Sequence, residues 1–192
     1  MTLDTTIFTA VQSMTGNAII DQSMLYAAEL LILAVPLSLI YLWFRGQEGK
    51  EDSIYAFATS LTGLAVSYGM GLFYHHKSPF TMYDTLVTGS AAENAFPSQH
   101  ATLMLAVAAG FYLRGHKKLG SSLLGLGIIT GFARIYVGEH FPLDIAGAGV
   151  AAVLALGIIY FVEDRTEPIV SQVSGFFQDI EDQILERVET AT

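Results

Sequence analysis

Five apolar stretches, three of them close to the length that crosses a bilayer, constrain this chain more than any other feature. A hydrocarbon core of ~30 Å takes about 20 helical residues. Residues 24–44 supply such a run, interrupted only by Glu29 and Pro36, and residues 54–74 supply a second with no charged side chain. Shorter runs follow at 101–113, 119–133 and 145–162. The third and fourth reach spanning length as Ala95–Leu113 and Leu119–Val137 if Ser98, His100 and Arg134 sit at the rim inside protein. Charged residues are only 14% of the 192, against roughly 25% in soluble domains, too few to clothe a water-soluble surface. The expected fold is therefore all-α: an integral membrane helical bundle of about five transmembrane helices, with the lipid bilayer as its solvent.

Composition excludes several functions. A net charge of −9 leaves no basic face for nucleic acid, and the absence of cysteine rules out disulfides and thiolate chemistry. Residues 1–22 hold Asp4 and Asp21 but no Lys or Arg, so no secretory n-region is expected there. Leu3, Ile7, Val11 and Met14 recur at helical spacing, predicting a short amphipathic helix along the membrane surface.

Orientation follows the basic residues. Arg45, Lys50, Arg114, Lys117, Lys118, Arg165 and Arg187 fall on one side of the spans, leaving Lys77 and Arg134 on the other. The positive-inside rule makes the first side cytoplasmic, placing the N-terminus outside and the C-terminus inside. The chain divides into a transmembrane domain at 1–162 and an acidic tail at 163–192. In the tail Ile169, Val173, Phe176, Ile180, Ile184 and Val188 predict an amphipathic helix, either docked on a partner or projecting into the cytosol. Oligomeric state is not legible.

Polar residues at membrane depth mark function. On the outer side one loop ends Phe96-Pro97-Ser98-Gln99-His100. Another runs from Arg134 through Glu139-His140-Phe141-Pro142-Leu143-Asp144. Pro142 suits the first turn of a helix, which sets Asp144 just inside it and His140 just before it. The carboxylate can then accept Nδ1–H of His140 and leave Nε2 free as a nucleophile. Arg134 offers a planar fork of donors for phosphate, and Ser98 with the adjoining helix N-terminus offers an anion site. His100 is placed to protonate a leaving oxygen and then activate water. This is a scheme for phosphoryl transfer through phosphohistidine, with no metal and no cofactor.

Pro97-Ser98-Gln99-His100 and Arg134-x5-His140-x3-Asp144 resemble the second and third signatures, P-S-G-H and S-R-x5-H-x3-D, of the type 2 phosphatidic acid phosphatase superfamily. The resemblance covers residues 54–162 and is greatest to the undecaprenyl pyrophosphate phosphatases of the bacitracin-resistance type. It implies a membrane enzyme that removes the terminal phosphate of a polyprenyl diphosphate at the outer face. His140 would be nucleophile, Asp144 its orienting partner and His100 the acid/base, with Arg134, Ser98 and Gln99 as phosphate ligands. Three positions depart from the pattern. Gln99 stands at the glycine place, Ala133 replaces the serine before Arg134, and the first signature, K-x6-R-P, is eroded. Ser78 precedes Pro79 where arginine belongs, so Lys77 is the candidate replacement charge, helped by His75 or His76.

The alternatives are a phosphatidic acid or phosphatidylglycerophosphate phosphatase, and a catalytically inactive transport or interaction protein on the same bundle. A transition-metal site built from His75, His76, His100, His140 and Asp144 is the remaining reading of the same residues. Tyr136, Tyr74 and Tyr83 are expected in the aromatic belt, while Glu29 and Glu139 have no assigned partner.

Overall fold

A computed structural model describes residues 2–87 and 94–191. It contains helices α1 (Leu3–Gln12), α2 (Ala18–Leu30), α3 (Ala34–Trp43), α4 (Gln47–Phe73), α5 (Gln99–Leu113), α6 (Lys117–Val137) and α7 (Pro142–Ala191). A 3-10 turn at Leu31–Leu33 joins α2 to α3, so Ala18–Trp43 is one spanning element. With α4, α6 and α7 it makes, among the described residues, four helices long and apolar enough to cross a membrane. The fifth apolar helix, α5, is shorter. The expected all-α membrane bundle is thus the observed fold.

The shortness of α5 has a local cause. Pro97 disfavours helical geometry at the residue before it, and Ser98 is the extended N-cap residue at ψ 116°. At 15 residues α5 rises about 22 Å. The stretch leading into it has its backbone groups satisfied by protein, as membrane depth demands. The Ala95 N–H donates to the His76 carbonyl, Phe96 N–H to Asn94 Oδ1 and Ser98 N–H to the Asp144 carbonyl.

Helices α4, α5 and α7 pack mutually, α6 lies on α5, and α2 lies on α6. Small residues set the close approaches. A methyl on Gly110 would meet Ala56 Cα at 2.7 Å. The Gly127/Gly131 pair of α6 serves two neighbours: Gly127 faces Leu105 of α5 and Gly131 faces Ile145 of α7.

The N-terminal helix is more than a surface float. Leu3, Ile7 and Met14 remain exposed, but Val11 turns inward with Phe8 onto Tyr136 and Phe141. Its polar residues cap the ends of other helices. Gln12 Nε2 donates to the carbonyls of Ile135 and Tyr136 at the end of α6, both at 2.9 Å. Asp4 Oδ1 accepts the Leu143 N–H at the start of α7, at 2.8 Å. A donor meets the carbonyl end of one helix and a carboxylate the amide end of the next, as unpaired termini and the helix dipole favour.

At the opposite end, α7 continues without a break past residue 162 and folds its tail along the start of α4. Lys50, only 1% exposed, is held there by Glu181 at 2.5 Å and Gln178 at 2.7 Å, while Trp43 meets Phe177 edge-on. The tail therefore docks on its own chain. Nearby, Arg114 pairs with Asp52 and Glu163, and His116 Nε2 lies 2.6 Å from Asp52.

Candidate active site

The end of the bundle that carries the signatures is organised by the turn between α6 and α7. Gly138 closes α6 in the left-handed region, φ 93°. The chain folds back so that Glu139 N–H donates to the Arg134 carbonyl at 3.0 Å. Helix α7 then begins at Pro142. Asp144, in its first turn, accepts the Phe141 N–H at Oδ2, 2.8 Å away, which is half of a capping box. The sequence thus places His140 and Asp144 on one helix entry for a reason independent of chemistry.

Asp144 is fully buried and touches two histidines. Its Oδ2 lies 3.4 Å from Nδ1 of His140, at the long end of hydrogen-bond range. Its Oδ1 lies 2.7 Å from Nδ1 of His76. With Nδ1 facing the carboxylate, Nε2 of His140 is the nitrogen left for chemistry.

A cavity of about 690 Å³ opens beside this pair. His140, His100, Gln99 and Arg134 line it, as do Glu139 and Ser78. Ser98 stands behind this wall, its Oγ fully buried with no partner among the described residues. Arg134 is 8% exposed and its Nε is likewise unpartnered. Free donors of this kind suit a phosphate oxygen.

Lys77 is not brought into the cavity wall; its side chain is exposed. His75 lines the cavity instead, and Ser78, at the missing arginine's place, is buried against it. Among the described residues no group of three or more metal-ligating side chains is arranged around a common point. Tyr74 packs on Phe96, but Tyr136 is buried, with its hydroxyl donating to Asp21 at 2.7 Å.

The two acids that sequence reading left without a role both face Arg134. Glu139 Oε2 lies 2.6 Å from Nη2, and Glu29 Oε1 lies 3.5 Å from Nη1. Burial pushes the Glu139 carboxyl above its ordinary value, against the pull of Arg134. Asn94 was also missed. Its side chain stitches the end of α4 to the approach of α5, donating to the Gly71 and Tyr74 carbonyls and accepting from His76 and Phe96.

Fold and site together place the chain among multi-pass membrane phosphatases. Residues 54–167 match the model of the PAP2 superfamily, and the chain belongs to that superfamily. It is similar to the undecaprenyl-diphosphatase BcrC of Bacillus subtilis (strain 168), 33% identical over 179 residues and 91% of each chain. It is also similar to the putative undecaprenyl-diphosphatase YbjG of Escherichia coli (strain K12), 33% identical over 143 residues and 71% of each chain. The crystal structure of Aquifex aeolicus LpxE shares the fold, with a TM-score of 0.67 and 19% identity over 83% of this chain and 96% of that one. The chain is a membrane lipid phosphatase of the PAP2 superfamily.

Proposed function

We propose that this protein removes the terminal phosphate of a polyprenyl diphosphate through a phosphohistidine intermediate, without a metal ion. The observation that carries the substrate reading is the 33% identity to an undecaprenyl-diphosphatase along 91% of both chains. The chemical scheme rests on the His140–Asp144 pair beside a cavity that Arg134 and His100 also line. Nε2 of His140 attacks the terminal phosphorus in line, and the bond from phosphorus to the bridging oxygen breaks. His100 gives that oxygen a proton as it leaves as lipid monophosphate. His100 then takes a proton from water, whose oxygen attacks the phosphohistidine and releases orthophosphate. Asp144 stabilises the charge on His140, while Arg134, Ser98 and Gln99 hold the phosphoryl oxygens. Lys77 acts from the rim on the incoming diphosphate. The site and N-terminus face outward and the C-terminus faces the cytosol, in keeping with the distribution of Lys and Arg.

The test is phosphate release from a C55 polyprenyl diphosphate by purified protein in detergent with EDTA, comparing wild type with His140→Ala. Release by wild type alone is the expected result. Dependence on added divalent metal would overturn the metal-free scheme, and full activity in the variant would remove His140 as nucleophile.

A second reading has one observation in its favour. Among the described residues Arg134 is the only guanidinium lining the cavity and two carboxylates already face it, which favours a less charged lipid monophosphate. Faster turnover of phosphatidic acid or phosphatidylglycerophosphate in the same assay would select it.

A further inference from the structure

We infer that His76 is a positioning residue for the reaction, holding Asp144 in the orientation that serves His140. This rests on the phosphohistidine reading above. Four ionisable groups stand in series at the mouth of the bundle: Asp4 of α1, His76, Asp144 and His140. His76 Nδ1 is 2.7 Å from Asp144 Oδ1, and its Nε2 is 3.8 Å from Asp4 Oδ2.

The two oxygens of Asp144 are held separately. Oδ2 receives the Phe141 N–H and faces His140. Oδ1 receives Nδ1–H of His76, because an ionised carboxylate only accepts. One amide donor on Oδ2 leaves the carboxylate free to turn about its last torsion. A second donor on the other oxygen fixes its plane and hence the direction of the lone pairs offered to His140. The His76–Asp144 contact is shorter than the His140–Asp144 contact, 2.7 against 3.4 Å, so His76 has the stronger hold on the acid.

His76 is itself immobilised. Its ring stacks on Phe141 at 4.8 Å and 30° between planes. Its backbone N–H donates to Asn94 Oδ1 at 2.9 Å. It does not line the cavity, whereas His75 and His140 do. It therefore acts through Asp144, in the way outer partners orient the groups that do the chemistry.

Two variants separate the donor from the ring. His76→Phe keeps the stack on Phe141 and removes the Nδ1 donor. His76→Asn puts an amide N–H near the Nδ1 place and removes the ring. The assay is steady-state hydrolysis of polyprenyl diphosphate, with wild type and His140→Ala in parallel. The expected result for His76→Phe is a fall in kcat of about tenfold to a hundredfold with KM within about twofold, and for His76→Asn a kcat close to wild type. Loss in His76→Asn with activity kept in His76→Phe would overturn the proposal, since the ring contact would then matter and not the donor. Equal loss in both, equal retention in both, or a change confined to KM would overturn it too. A second readout needs no turnover: carbethoxylation of His140 by diethyl pyrocarbonate, located by mass spectrometry, changes rate in His76→Phe but not in His76→Asn. Hydrolysis by His140→Ala at the wild-type rate would instead sink the phosphohistidine reading, leaving the labelling result to judge His76 alone.

Discussion

Nη2 of Arg134 lies 2.6 Å from Oε2 of Glu139, inside the same cavity wall that His140 and His100 line. The contact is close, yet among the described residues neither Glu139 Oε2 nor Arg134 Nε has a hydrogen-bond partner. Glu139 occupies ground that a phosphate oxygen would claim, so an anion must displace it or bind beside it. Replacing the carboxylate with its neutral isostere removes that competition. Glu139→Gln should tighten inhibition by orthophosphate about tenfold, equivalent to ~1.4 kcal/mol.

The same pair makes a pH prediction. Burial is the largest influence on Glu139 and raises its carboxyl above the usual value of 4.5. The group therefore begins to take up a proton, as pH falls from neutral, earlier than an ordinary glutamate. Its neutral form releases Arg134, so orthophosphate should bind the wild type more tightly, relative to Glu139→Gln, as pH drops toward 5. Taking the ratio of the two inhibition constants cancels the titration of phosphate and of the histidines. A ratio that stays flat from pH 8 to 5 would show that Glu139 does not compete for Arg134.

The turn that carries these groups depends on Gly138. Its φ of 93° is left-handed, and a Cβ there would lie 2.3 Å from Thr85. The backbone strain alone costs about 1–2 kcal/mol, and the clash adds to it. Because Arg134 and His140 flank this residue, Gly138→Ala should lower both melting temperature and kcat. Thermal unfolding in detergent together with an activity assay checks both, and wild-type values in both would contradict the geometry.

How much of this was legible in the sequence depends on whether a residue acts through its neighbours along the chain or through distant ones. The spans were legible because burial in lipid demands long apolar runs. The entry of α7 was legible because Pro142, Phe141 and Asp144 are local partners. The start of α5 was visible in Pro97-Ser98 for the same reason. The role of α1 was not, because periodicity selected the exposed stripe of Leu3, Ile7 and Met14. Asp4 and Gln12 find their partners more than 120 residues away. His76, Asn94 and Glu29 were likewise defined by contacts across the bundle, and Glu139 by the fold of its own turn back onto Arg134. Among them, only His76 carried a local hint, lying two residues before the eroded arginine place. Lys77, the charge that the motif supplied, is exposed and stands outside the residues that line the cavity.

Gln12 tests whether α1 braces the α6–α7 turn. Its amide donates to two carbonyls at the end of α6, so Gln12→Ala leaves both without that donor. A loss of about 1 kcal/mol is expected, equivalent to a drop in melting temperature of about 3 °C for a chain of this size. An unchanged melting temperature would mean that the Gly138 N–H, which also reaches the Ile135 carbonyl, and water satisfy the two carbonyls without Gln12.

The opposite end of the bundle separates stability from catalysis. Lys50 is almost fully buried, with Glu181 at 2.5 Å, Gln178 at 2.7 Å and the Trp43 ring at 5.9 Å. Removing only Glu181 leaves a buried ammonium with one neutral acceptor and a ring face. Breaking a buried pair in this way typically costs about 3–5 kcal/mol; Gln178 and partial exposure of Glu181 reduce that to roughly 2 kcal/mol here. Lys50→Met removes the charge along with its partner's task, so it should cost less than Glu181→Ala. In Glu181→Ala the tail of α7 should loosen from α4 and become open to limited proteolysis. Phosphatase turnover should stay within about twofold of wild type, because the pair is not among the residues lining the cavity. If Lys50→Met proves the more damaging of the two, the ammonium contributes net stability there, and the desolvation argument for this site is wrong.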